Sequence, residues 1–198
     1  MTTVAPPSPP ALPPPPPTAA APPVLEQPRP GPAETGVWIA IAAISMTFAA
    51  LTSAMVVRGS AAPDWRHFRL PSILYVNTAV LLASSAVLEA GRRRLAARFV
   101  RVTSGLGLLF VAGQVVAWRQ LAAQGLFLAS SPSSAFFYVF TALHGLHVLV
   151  GLGGLGYVLR RFGTAGPAPV TALGAAALYW HFMDALWLYL LALLALRV

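Results

Sequence analysis

Two short stretches hold most of the side chains that could do chemistry deep inside otherwise apolar sequence. His144-Gly145-Leu146-His147 sets two imidazoles at i and i+3, on one face of a helix. Tyr179-Trp180-His181-Phe182-Met183-Asp184 sets an imidazole and a carboxyl at the same spacing. Ionisable groups inside apolar runs are costly, so each needs a reason. Three chemistries would supply one: hydrogen bonds that tie helices together, a proton path, and ligation of a metal or haem.

Counting inward from the ends of the two runs places His144 level with Asp184 and His147 level with His181. The expectation is a polar ladder between the last two helices, because a lone buried Asp protonates or destabilises its helix and a histidine is an economical donor for it. Two histidines one turn apart on one helix cannot be the two axial ligands of one haem, which must approach from opposite faces. A mononuclear metal would want closer convergence than His144, His147, His181 and Asp184 offer. Helix packing is therefore the leading role, with a proton path second.

The elements that must position these residues follow from composition. The chain has 198 residues, 57% of them hydrophobic and 9% charged, with mean hydropathy +0.71. A soluble domain carries about 25% charge, so this is an integral membrane protein. With no cysteine, disulfides, thiolate metal sites and cysteine nucleophiles are excluded. All 13 basic residues are arginine, which excludes a Walker lysine and a lysine Schiff base. The net charge of +8 is not read as nucleic-acid binding, because arginines of a membrane chain mostly set orientation.

Residues 1–35 hold 14 of the 19 prolines and are expected to form a disordered, cytoplasmic tail. The stretch lacks the basic start, apolar segment and cleavage site of a signal peptide. Residues 36–198 are expected to form an all-α membrane bundle of five transmembrane helices, near 37–57, 72–88, 100–117, 135–159 and 170–196. The second and fourth connections, 89–99 and 160–169, lie on the same side, which with Arg29 and Arg101 carries 8 arginines against 5 on the other, among them Arg92, Arg93, Arg94 and Arg98. The positive-inside rule puts that side and the N-terminus in the cytoplasm and the C-terminus outside.

Lesser features fit this plan. Glu89 lies one turn from Arg92 and Arg93 and is read as an interfacial ion pair. Arg92, Arg93, Arg94 and Arg98 are candidate ligands of anionic phospholipid headgroups. Gly151, Gly153, Gly154 and Gly156, and on the third helix Gly105, Gly107 and Gly113, allow close helix approach. Trp38, Trp65, Trp118, Tyr75 and Trp187 are assigned to interfacial belts.

Several stretches together resemble cytochrome c oxidase subunit III. They are Phe136-Phe137-Tyr138-Val139-Phe140-Thr141-Ala142-Leu143-His144-Gly145-Leu146-His147-Val148 and Ala177-Leu178-Tyr179-Trp180-His181-Phe182-Met183-Asp184-Ala185-Leu186-Trp187. Leu70-Pro71-Ser72-Ile73-Leu74-Tyr75-Val76-Asn77-Thr78, Ala83-Ser84-Ser85, and Gly113-Gln114 followed by Trp118 look like further parts of that family. The likeness runs in order from about residue 37 to 196, in the short five-helix bacterial form.

The resemblance implies a subunit of a haem–copper terminal oxidase in a bacterial plasma membrane, where cytochrome c is oxidised and oxygen is reduced with proton pumping. It implies no redox centre in this chain, haem and copper in catalytic subunit I and in subunit II, and bound phospholipid. His144, His147, Tyr179, Trp180, His181 and Asp184 would have structural and proton-environment roles. Quinol oxidase and nitric oxide reductase-associated subunits share the family, so the electron donor stays open. A small proton-coupled transporter, which should show internal repeats, is the reading from another class, as is a haem- or quinone-binding anchor. Two carboxylates common in the family are missing, at Ala43 and Gly174, so no role of theirs carries over.

Overall fold

A computed structural model describes residues 31–61, 63–162 and 168–197, and the side chains of 168 and 169 are not among what it describes. Five helices follow in order: α1 (Pro32–Ala61), α2 (Ile73–Arg94), α3 (Ala97–Ala123), α4 (Pro132–Arg161) and α5 (Ala168–Arg197). Each is long and apolar enough to cross a membrane. The all-α five-helix membrane bundle is therefore the observed fold. The proline-rich stretch 1–30 lies outside the described residues.

Every helix outruns its apolar segment. The apolar run marks what must sit in hydrocarbon, whereas helical hydrogen bonding continues into the polar boundary until a local signal stops it. Residues 32–35, expected in the tail, form the first turn of α1. Pro32 stands where a missing N–H costs nothing, and Glu34 sits at the positive helix end. The expected 89–99 connection shrinks to Leu95 and Ala96, with Leu95 in the left-handed conformation at φ 47°. Arg92, Arg93 and Arg94 thus end α2, and Arg98 and Arg101 begin α3.

At the opposite end Pro132 opens α4 behind a reciprocal cap. The Ser134 N–H donates to the Ser131 hydroxyl at 3.2 Å and the Ser131 N–H to the Ser134 hydroxyl at 3.1 Å. The neighbouring Ser133 hydroxyl donates to the Arg66 carbonyl at 2.6 Å, tying the α1–α2 connection to the start of α4.

α5 is the hub. It packs against α1, α2 and α4, while α2 pairs with α3, α3 with α4, and α1 touches only α4 and α5. Half of α5's span is buried against 17% for α1, which turns only Ile44, Phe48 and Met55 inward. Phe110, Phe137, Phe140, Trp180 and Trp187 fill the centre, and exposed Ile39, Met46, Leu108 and Val150 make an outer surface suited to hydrocarbon. Trp187 is therefore a core residue, not a belt residue, and the Trp118 indole turns inward to donate to Thr141 at 2.9 Å.

Several glycines set interhelical spacing, among them Gly91 against Phe99, Gly151 against Tyr179 and Trp180, and Gly113 and Gly107. A Cβ at Gly113 would overlap the Asn77 amide, which donates to the Phe110 carbonyl at 3.3 Å across the α2–α3 contact. A Cβ at Gly107 would stand 2.6 Å from the Trp180 ring. Gly105, Gly153, Gly154 and Gly156 face open space instead, so the close-approach reading does not hold for them. Gly113→Val should destabilise the detergent-solubilised protein by about 1–3 kcal/mol through overpacking, read as a lower melting temperature. Gly153→Ala should leave the melt unchanged.

Candidate functional site

The polar residues of α5 engage α2. The Trp180 indole donates to the Ser84 hydroxyl at 2.9 Å, and the Trp187 indole donates to Thr78 at 2.9 Å. These two tryptophans stand seven residues apart, so they share one face, and antiparallel α2 offers hydroxyls at matching heights. The acceptors are themselves anchored, Ser84 donating to the Leu81 carbonyl at 2.6 Å and Thr78 to the Leu74 carbonyl at 2.8 Å. One residue beyond Ser84 and Trp180 lies a second polar contact. His181 Nδ1 is hydrogen-bonded to the Ser85 hydroxyl at 2.5 Å, and its Nε2 lies 3.9 Å from Glu89 Oε2.

Glu89 joins that contact to the arginine-rich end. Its carboxylate accepts from Arg92 Nε at 2.7 Å and Arg92 Nη2 at 2.9 Å, and from Arg93 Nε at 3.0 Å. This is the ion pair expected from the sequence. Arg94 and Arg98 lie over the Phe99 ring, 5.5 and 5.0 Å from its centroid. The four arginines therefore divide, two closing on Glu89 and two stacking on an aromatic face.

The His–Asp ladder does not form. His144 is fully buried on α4 between Phe110, edge-to-face at 5.7 Å, and Trp187 at 5.1 Å. Asp184, 6% exposed, lies beside Ser85 without completing a hydrogen bond to it. Among the described residues neither ring nitrogen of His144 and neither carboxylate oxygen of Asp184 has a hydrogen-bond partner. His147 does not meet His181 either: its Nδ1 bonds the Leu143 carbonyl at 2.7 Å, and its ring lies against Phe48 of α1.

The depth count holds to within about a turn, since Tyr179 donates to the His147 carbonyl at 3.1 Å and Trp187 reaches His144. What failed is azimuth. With three neighbours around it, α5 turns Tyr179 toward α4 but His181 and Asp184 toward α2. The residues sequence reasoning missed are Thr78, Ser84 and Ser85. Their signal was available: a buried indole N–H must find an acceptor, and α2 carries hydroxyls spaced to match.

These positions also test the fit to haem or copper. His144 is walled by two aromatic rings, and one nitrogen each of His147 and His181 is taken by Leu143 and Ser85. Among the described residues no three His, Cys, Asp or Glu side chains converge on a common point. The described residues thus hold no cluster of three such donors for a copper ion.

A family model for cytochrome c oxidase subunit III matches residues 40–196. Curated relatives agree. The chain is 31% identical over 175 residues to cytochrome c oxidase subunit 3 of Synechocystis sp., covering 81% of this chain and 74% of that one. It is 33% identical over 178 residues to a probable cytochrome c oxidase subunit 3 of Nocardia farcinica, covering 83% and 87%. With cytochrome c oxidase subunit 3 of Gallus gallus the identity is 35% over 124 residues, covering 58% and 46%.

A double-mutant cycle separates the two seams. Trp187→Phe and Thr78→Val should couple by about 0.6–1.7 kcal/mol, the range for hydrogen bonds between membrane helices. His144→Ala and Asp184→Asn, measured by the same unfolding assay, should add to within about 0.5 kcal/mol. Strong coupling of the second pair would restore the ladder.

Proposed function

Because the chain belongs to the cytochrome c oxidase subunit III family, we propose that it is the subunit of a haem–copper terminal oxidase that carries no redox centre and holds the complex in working form. It is a membrane-spanning member of an oxidase complex. Haem and copper belong to partner chains, catalytic subunit I and subunit II, which take electrons from cytochrome c and reduce oxygen to water with proton pumping. The complex sits in a bacterial plasma membrane, with the arginine-rich end of this chain in the cytoplasm.

The observation that carries the non-redox reading is the dispersal of His144, His147, His181 and Asp184 to four different surroundings. Each of these residues, with Tyr179 and Trp180, lies at a contact between helices, and Trp180 and Tyr179 make hydrogen bonds there. That distribution supports a structural role for the set, with Asp184, Ser85 and His181 supplying the proton environment. Anionic phospholipid is the other partner. Arg94 and Arg98 are the better headgroup ligands, since Glu89 already holds Arg92 and Arg93.

Affinity capture of the tagged chain from membranes in mild detergent should bring down larger chains with a haem optical spectrum. The spectrum should leave with those chains when the tagged subunit is stripped free. A stripped subunit that keeps haem would overturn the assignment of cofactors to the partners. A chain captured without any haem-bearing partner would overturn the oxidase assignment itself.

A further inference from the structure

We propose that Asp184 is a proton-exchanging carboxyl, reached from the arginine-rich end of the bundle through His181 and Ser85. Buried aspartates in membrane helices usually pair, and this one has a hydroxyl beside it but no completed hydrogen bond. Ser85 is already bonded to His181 Nδ1, and His181 Nε2 points back to Glu89. Four polar groups from two helices thus make one file, from Glu89 near the end of α2 to Asp184 inside the span.

The Glu89 end of the file adjoins a cavity at the arginine-rich end of the bundle. A cavity of about 380 Å³ lies between the first turn of α1, the first turns of α5 and the end of α2, lined by Pro32, Glu34, Arg92 and Thr171 among others. Arg92 is both a wall of that cavity and a ligand of Glu89. His181 is next along the file, with its side chain 40% exposed at the α2–α5 seam. α1 contacts α5 but not α2, so among the described helices none closes the seam from that side.

Once the Ser85 hydroxyl turns to complete its bond to Asp184, each link conducts by ordinary proton chemistry. His181 begins neutral with its proton on Nδ1, donating to Ser85. A proton from water adds at Nε2, the Nδ1 proton passes to the Ser85 oxygen, and the Ser85 hydroxyl proton passes to an Asp184 oxygen. One solution proton is consumed, one carboxylate becomes a carboxylic acid, and His181 ends neutral as the other tautomer. Rotation of the Ser85 hydroxyl and tautomer exchange reset the file. Glu89 Oε2, held in place by two arginines, lies 3.9 Å from Nε2, where the incoming proton adds.

The charged and titratable surroundings are few. From α2 they are Glu89, with Arg92 and Arg93 behind it. From α4 they are His144 beside Trp187 and His147 beside Tyr179, and α1 contributes Glu34 at the cavity mouth. This inference rests on the membrane placement and not on the oxidase assignment. Loss of the haem-bearing partners in the capture experiment would leave the carboxyl measurement intact.

The test is infrared spectroscopy of the purified complex in liposomes. A carboxylic-acid band present in the parent and missing from Asp184→Asn should appear as the pH is lowered, and should shift on transfer to deuterated water. Ser85→Ala and His181→Phe should slow that isotope shift by about tenfold or more, equivalent to about 1.4 kcal/mol in barrier. Ser85→Thr, which keeps a hydroxyl, should restore it. Where Asp184→Asn does not assemble, Asp184→Glu assigns the band by displacing it. Absence of such a band, or equal exchange rates in the parent, Ser85→Ala and His181→Phe, would overturn the proposal.

Discussion

An indole N–H inside hydrocarbon has no water to bond, and this bundle is organised around meeting that need twice. Trp180 and Trp187 are the largest fully buried side chains, and both direct their N–H groups to hydroxyls of α2. Each bond contributes only about 0.6 kcal/mol on average, yet the pair fixes the rotation of α5 relative to α2. Once α5 is set, its other faces follow: Tyr179 reaches α4, the Trp180 ring lies in the space left by Gly107, and Trp187 packs on Phe110 and His144. The hub position of α5 depends on this clasp more than on the apolar area shared with any one neighbour, because lipid is as apolar as leucine and gives helices little hydrophobic reason to associate.

The helices were legible because one strong physical rule governs them: a backbone in hydrocarbon must satisfy its own hydrogen bonds, so an apolar run of about 20 residues is a helix. Their ends were not, since capping by Ser131 or the left-handed turn at Leu95 decides them rather than hydropathy. Leu95 is the harder case, because that conformation favours glycine and the sequence gives no glycine there. Trp187 was misplaced for a related reason. Tryptophan favours the interface only when nothing deeper accepts its N–H, and Thr78 does.

The candidate site was legible in its residues and in its depth but not in its pairing. Depth is one coordinate, counted along the sequence. Azimuth depends on how many neighbours a helix has, which pairwise counting between α4 and α5 could not include. A helix packed on one partner would have turned His181 and Asp184 toward α4. Packed on three, it turned them to α2, where Ser85 stands and where Glu89, read from the sequence only as an ion pair with Arg92 and Arg93, lies 3.9 Å from His181.

The absent acids give this arrangement its meaning. With no carboxylate at Ala43, α1 meets His147 through the Phe48 ring, and that imidazole turns its Nδ1 onto its own helix. With Gly174 beside Arg92 in the cavity wall, the carboxylate that holds Arg92 is Glu89. Two positions that could have placed negative charge deeper on α1 and α5 are uncharged: Glu34 stays in the first turn of α1, and Glu89 and Asp184 both lie at the α2–α5 seam. There the hydroxyl of Ser85 and the ring of His181 stand between Glu89, tied to arginine, and Asp184, which is not. An ion-paired carboxylate at one end and an unpaired one at the other differ in how they hold a proton, and that difference gives the file between them a direction.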